Sequence, residues 1–361
     1  MNNINIKASR LTYYFSLPRV INCFKTALAC VVGYLIYLFT PLPQAQWIII
    51  TVLVVMSAQT TVGGIFIKAQ MRLLGTIFGA AVAILIIFLC KNQNTELIIG
   101  IGLFVSIMSF TYIASRAGDI SYVGTLGSVT VAIILLNKEI SLSMAGERFF
   151  EIVFGILLSF LVSYFVFPIR SHNLFINNLA DTINHLRDYF ERCFHQSMKT
   201  HSSFFDEDEK ILGIFVQQKR LIYETGLEFG KARTDKTVFK RIFNIERRIY
   251  RAINMILYSI RGIEETVADT YFENFQKNIS GCFSDLSALV KSGMIKSSDI
   301  EMKLAALEQA VLEKMQQLDL KDEYQYSLIF SLKFLINELK NLNSTIPQIK
   351  YGSFSKSRLL R

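Results

Sequence analysis

The first 170 residues of this chain contain no histidine and only five acidic side chains: Glu96, Asp119, Glu139, Glu147 and Glu151. The four histidines, His172, His185, His195 and His201, all fall later. No Ser/His/Asp arrangement and no Glu-rich metal motif is readable anywhere, so neither hydrolytic nor metal-assisted catalysis is expected. Cysteine is scarce and scattered: Cys23, Cys30, Cys90, Cys193 and Cys282 are odd in number and no pair has metal-ligand spacing. That excludes a disulfide framework and leaves small, buried apolar side chains. Segment 226–232 imitates a phosphate loop, but it has one residue too few between Gly226 and Gly230, and Ala232 stands where Ser or Thr would bind magnesium. It also falls where the pattern reads as amphipathic helix. Transport driven by the chain's own ATP hydrolysis is therefore not expected, and no cofactor or metal is. A secretory leader is missing as well: the first apolar run starts near Val20, is long, and has no small-residue cleavage site behind it. The net charge of +9 comes without a basic run interleaved with aromatics, so nucleic acid is not an expected partner.

What is present is apolar length. Hydrophobic residues make up 52% of the chain, and the charges are segregated: 11 Lys/Arg precede residue 171 and 27 follow it. A change of solvent near Pro168-Ile169-Arg170 follows, giving a transmembrane domain over 1–170, an all-helical cytoplasmic domain over 171–345 and a basic flexible tail over 346–361. A helix needs about 20 residues to cross the roughly 30 Å hydrocarbon core. Six segments approach that length: 20–39, 47–62, 73–90, 97–113, 120–136 and 149–167. The second and fifth are weaker, because Gln59, Thr60 and Thr61 interrupt one while Gly124, Gly127 and Thr130 dilute the other. Those two are expected inside the bundle, where polar atoms meet neighbouring helices or water. Inner flanks would carry Lys7, Arg10, Arg19, Lys68, Arg72, Arg116 and Arg170, and outer flanks only Lys91, Lys138 and Arg148. This bias predicts six spans with both ends cytoplasmic. The fold class is thus an all-α membrane protein, a six-helix transmembrane bundle followed by a cytoplasmic helical bundle.

Beyond Arg170 the period is that of amphipathic helices. Phe175, Leu179, Ile183, Leu186, Phe190 and Phe194 repeat at steps of three and four, as do Val238, Ile242, Ile245, Ile249, Ile253, Ile256 and Ile260. Ser298-Asp299-Ile300-Glu301 has the form of a capping box before a helix over 303–318. A last helix is expected over 323–342. Breaks are expected near 201–206, 233–236, 264–266, 292–297 and 319–322.

Charges close to or within the spans are the candidate functional residues, because an ion in hydrocarbon must pair, snorkel or line water. Lys25 lies about a turn inside the first span, Lys68 and Arg72 precede the third, and Arg148 opens the sixth with Glu151 three residues on. Cations at both mouths with few acids between favour an anion in a low-dielectric path. Trp47 sits where interface aromatics gather. Gly75, Thr76 and Gly79 put small residues on one face of the third span, a close-packing surface.

Trp47 with the run through Val55, then Thr61-Val62-Gly63-Gly64, Lys68, Arg72 and Gly75-Thr76, resembles the signature of the fusaric acid resistance and aromatic acid exporter family. Its distant plant relatives are the aluminium-activated malate transporters. Arg148, Glu151, Gly155 and Phe167-Pro168-Ile169-Arg170 resemble the family's sixth span and exit. The resemblance implies a homodimer exporting organic anions such as aromatic carboxylates or dicarboxylates, or acting as an anion channel, while the Ile/Lys/Asn/Phe-rich composition without targeting signals points to a bacterial cytoplasmic (inner) membrane. It implies substrate contacts from Lys25, Lys68, Arg72 and Arg148, and pore or helix packing by Trp47, Gly63, Gly64, Gly75, Thr76, Gly79 and Gly155. Membrane lipids are the other expected partner. The alternative is a membrane-anchored interaction or regulatory module that acts through its helical domain.

Overall fold

A computed structural model of the chain describes residues 17–40, 46–57, 59–90, 95–136, 142–194, 201–228, 232–262, 271–292, 296–317 and 323–349. All regular elements among them are helical, and the chain divides into two compact units, Met1–Arg170 and Ser171–Arg361.

The first unit holds α1 (Leu17–Phe39), α2 (Gln46–Met56), α3 (Val62–Leu89), α4 (Thr95–Ala114), α5 (Ile120–Leu135) and α6 (Leu142–Phe165). Three stretches are long and apolar enough to cross a membrane: Pro18–Phe39, Val62–Leu89 and Glu96–Ala114. Shorter apolar helices are Gln46–Met56, Ile120–Leu135 and Phe149–Phe165.

One sequence-based boundary is wrong. The second apolar run does not continue to residue 62: α2 stops at Met56, after 11 residues or about 16 Å, and Val62 begins α3. The chain between them is an elbow, and buried Gln59 and Thr61 lie in it. Its free backbone groups are satisfied from other elements, as buried helix ends require. Asn22 of α1 donates to the Met56 carbonyl (3.2 Å) and the Tyr122 hydroxyl of α5 donates to the Val54 carbonyl (2.9 Å). Thr61 is the N-cap of α3, its Oγ1 accepting from the Gly64 amide at 3.0 Å, and the Val62 amide donates to the Ile169 carbonyl at 3.0 Å. Because α3 starts at Val62 rather than Leu73, Lys68 and Arg72 lie inside that helix and not before it.

Glycine brings these helices into backbone contact. A Cβ on Gly79 of α3 would lie 2.7 Å from the Gly127 carbonyl oxygen and 2.8 Å from Thr130 Cβ of α5. Gly124 of α5 meets the backbone of Phe110 and Ala114 in α4 in the same way. Gly155 of α6 faces α2, where its Cβ would stand 2.6 Å from Thr51 Cβ and 2.9 Å from the Ile48 carbonyl oxygen.

The second unit holds α7 (Ser171–Cys193), α8 (His201–Thr225), α9 (Ala232–Gly262), α10 (Tyr271–Ser292), α11 (Ser297–Gln317) and α12 (Glu323–Thr345), closed by a 3₁₀ turn Ile346–Gln348. It has its own core, in which Phe175, Leu179 and Ile183 of α7 meet Ile242, Ile245 and Ile249 of α9, Phe283 of α10 and Leu335 of α12. Breaks differ from the sequence pattern in three places. Helix α8 already runs from His201, so no break falls at 201–206. The chain turns at Gly226–Glu228 and α9 starts at Ala232, so 233–236 is helical and the glycine segment at 226 does not lie inside a helix. Gly226 follows the last residue of α8, its amide donating to the Ile222 and Tyr223 carbonyls. Ser297 starts α11, one residue before the expected capping box. Ser297 donates to Asn343 of α12 (3.0 Å to Oδ1), while the Ser298 hydroxyl donates to neighbouring Asp299, so no reciprocal cap forms. The expected break at 264–266 lies outside the described residues.

Candidate functional site

Lys25 is the most informative side chain of the first unit. It sits eight residues into α1, about 12 Å from that helix's start, deeper than the single turn its sequence position suggested. It is fully buried, 0% exposed, and its Nζ donates to Ser163 Oγ near the end of α6 at 3.3 Å. Ser163 is buried on α6, as is Ser159 a turn earlier, whose hydroxyl donates to the Gly155 carbonyl at 2.7 Å. Ser163 is therefore the neutral partner placed for the ammonium.

Arg72 lies ten residues into α3 and is 3% exposed. Its Nε has no hydrogen-bond partner among the described residues. One turn earlier, Lys68 places its Nζ 3.9 Å from the ring centroid of Tyr122, a cation–π contact to α5. Neither Lys25 nor Arg72 has a carboxylate within ion-pairing distance among the described residues. Buried cations without a counter-charge are costly to keep.

The contacts also place these residues at one end of the unit. Asn22 and Lys25 lie in the first half of α1, Val54 and Met56 at the end of α2, and Lys68 in the first turns of α3. Tyr122 is near the start of α5 and Ser163 near the end of α6. Alternate helices run in opposite directions, so these termini share a side. Gly63 and Gly64, both buried, open α3 beside the elbow.

Other candidates are placed elsewhere. Trp47 starts α2, at the opposite end of that helix from the elbow. Gly75 and Thr76 are buried on α3, and a Cβ on Gly75 would lie 2.9 Å from Leu126 Cβ of α5, so this face packs against α5. Glu151 is buried on α6, while the side chain of Arg148 lies outside the described residues, and so does their expected pairing. Sequence reasoning missed Asn22, Tyr122 and Ser163. Their signal was a lone polar side chain in an apolar run, which does not say what it faces.

In the second unit several buried carboxylates are matched. At the start of α7, Ser171 donates from its amide to Glu228 (2.6 Å) and from its hydroxyl to Glu224 (3.0 Å); His172 Nε2 meets Asp235 at 2.9 Å. Arg220 bridges Glu224 at 2.9 Å and Arg248 bridges Glu338 at 2.9 Å. Tyr250 and Tyr189 both donate to Asp208. Glu246 differs: fully buried, it accepts only from Gln218 (3.2 Å), and burial pushes its carboxyl up to about 8. All five cysteines are free, and no group of three or more metal-ligating side chains occurs among the described residues.

Residues 19–352 match the family described as "Fusaric acid resistance protein family". Among curated proteins the chain is similar to "Aluminum-activated malate transporter 12" and "Aluminum-activated malate transporter 14" of Arabidopsis thaliana. Each is 26% identical over 208 residues, which cover 53% of this chain and 35% and 36% of the two relatives. The chain thus spans about a third of the length of the curated relatives it matches.

Proposed function

This chain belongs to the fusaric acid resistance protein family, and from that premise we propose that it moves organic anions across a membrane through its first unit. In this reading α1 to α6 are six spans, α2 and α5 being the short inner ones, with both chain ends on the cytoplasmic side of a bacterial inner membrane. The observation that carries the proposal is the pair of buried cations, Lys25 and Arg72, which have no carboxylate partner among the described residues.

A carboxylate entering a low-dielectric path loses its hydration, and fixed cations and hydroxyl donors replace it. Lys25 has three donors and spends one on Ser163, leaving two for a ligand. Arg72 offers a planar fork suited to a carboxylate. The relatives named for malate transport support a carboxylate cargo, and the family description supports aromatic acids such as fusaric acid. Export and assembly as a homodimer complete the reading.

The test is flux through the purified protein in liposomes with malate, 4-hydroxybenzoate and chloride, with and without an imposed pH gradient. Flux that follows voltage alone identifies a channel, and flux that needs the gradient identifies a proton-coupled exporter. If no anion moves under either condition, the proposal fails and the second unit becomes the working part.

A further inference from the structure

Helix α9 carries a long, exposed, one-signed face that the transport reading does not use. Thr237, Lys240, Asn244, Arg247, Arg251, Met255 and Tyr258 follow at steps of three and four, with Arg241 beside them, so they share one side of the helix. Lys240, Arg241, Asn244, Arg247 and Arg251 are all exposed. The two acids of this helix, Asp235 and Glu246, are both buried, so none stands on the exposed face.

Several cations elsewhere in this unit, among them Arg192, Lys210, Lys291 and Lys303, meet a carboxylate. The α12 carboxylate that reaches α9, Glu338, is engaged by Arg248. Lys240, Arg241, Arg247 and Arg251 have no ion pair among the described residues. Their contacts are neutral: Arg241 donates to Gln348 Oε1 (3.2 Å), Arg251 donates to the Arg247 carbonyl (3.3 Å), and Arg247 stands 5.8 Å from the Phe243 ring. The stripe ends in exposed apolar and phenolic groups, with Tyr258 68% exposed and Met255 40% exposed; the Tyr258 ring lies 6.2 Å from that of Tyr324 of α12. The Arg241–Gln348 contact also sets residue 348 against the stripe.

We propose that this face of α9 binds the headgroups of anionic phospholipids. Charge complementarity requires an anionic partner presented over about 16 Å from Lys240 to Arg251. A headgroup layer presents charge over that length without needing a groove. Tyrosine and methionine at the end of the stripe suit the boundary between headgroup and acyl chain. The helix belongs to a chain with membrane-crossing segments, so a lipid surface is always present at high effective concentration. Basic clusters gain roughly 1 kcal/mol per cation at such a surface, about fivefold in occupancy, and lose it as salt screens the charges.

The experiment uses the full chain in nanodiscs of phosphatidylcholine alone or mixed with phosphatidylglycerol. A photo-crosslinking residue replaces Asn244 at the centre of the stripe, and a control copy carries it at Gln309, an exposed position on α11. The expected result is cross-linking to phosphatidylglycerol from position 244 but not 309, weakened by salt. It should fall about fivefold for each charge removed in the series Lys240→Gln, Arg241→Gln, Arg247→Gln, Arg251→Gln. These side chains are exposed and unpaired, so the thermal midpoint of the variants should match the parent and keep the comparison fair. The proposal is overturned by equal cross-linking at the two positions, by lipid cross-linking that survives removal of all four charges, or by cross-linking at 244 to protein instead of lipid.

Discussion

In the first unit, Lys25 and Arg72 are buried with no carboxylate at hand among the described residues; in the second, Glu224, Asp235 and Glu338 are buried and each meets a basic side chain. The contrast separates two reasons for burying an ionisable group. A matched pair closes its own electrostatic account and serves packing and register. An unmatched cation in an apolar helix is costly to keep, and the proposed function rests on that cost. Glu246 sharpens the rule: it is unmatched too, but it avoids the cost by staying protonated, with burial pushing its carboxyl up to about 8.

The comparison can be stressed in several places. The largest effect should come from Gly79→Leu. Even a Cβ there would stand 2.7 Å from the Gly127 carbonyl, so α3 and α5 must separate, at a cost of about 3 kcal/mol or more. Size-exclusion chromatography should show loss of monodisperse protein, whereas Gly100→Leu, where a Cβ meets nothing within 4 Å, should behave as the parent.

In the second unit, Asp235→Ala leaves His172 facing an empty buried position, and the thermal midpoint should drop by the equivalent of about 1–3 kcal/mol. Glu246→Gln tests the exception. Between pH 4.5 and about 8 the folded carboxyl holds a proton that the unfolded chain has released, so native stability falls as pH rises through that window. The glutamine variant should flatten this slope and melt a few degrees higher near pH 8. A parent whose stability rises with pH there would contradict the assignment. The smallest effect belongs to Lys303→Ala. Its bridge to Asp285 (2.6 Å) is at the surface, and its loss should cost about 0.5 kcal/mol or less.

Much of the fold was legible because burial imposes periodicity. The isoleucine stripe of α9 from Ile242 to Ile256 is wholly buried, and α1 and α4 lie within a few residues of the apolar runs that announced them. The elbow was not legible in the same way. Hydropathy reports which solvent a segment sees and is blind to a change of direction inside an apolar run. The local signal is Thr61 three residues before Gly64, a capping pattern masked by the hydrophobic residues around it. At the candidate site, the cost of charge in hydrocarbon singled out Lys25 and Arg72 from sequence alone. Their environment was hidden, since Ser163 is 138 positions from Lys25 and Tyr122 belongs to a different helix from Lys68, and one sequence carries no record of such pairings.

The central claim is that the unmatched cations of the first unit hold an anion in transit. The most direct measurement is uptake of labelled 4-hydroxybenzoate and of a benzylammonium cation of similar size into proteoliposomes, for the parent, Lys25→Met and Arg72→Gln, each checked for an unchanged thermal midpoint. The account predicts that the parent takes up the anion and not the cation. It also predicts that each neutralisation cuts anion uptake about tenfold or more, equivalent to roughly 1.4 kcal/mol of lost stabilisation. Equal uptake of the cation, or full anion uptake by folded Lys25→Met and Arg72→Gln proteins, would contradict it.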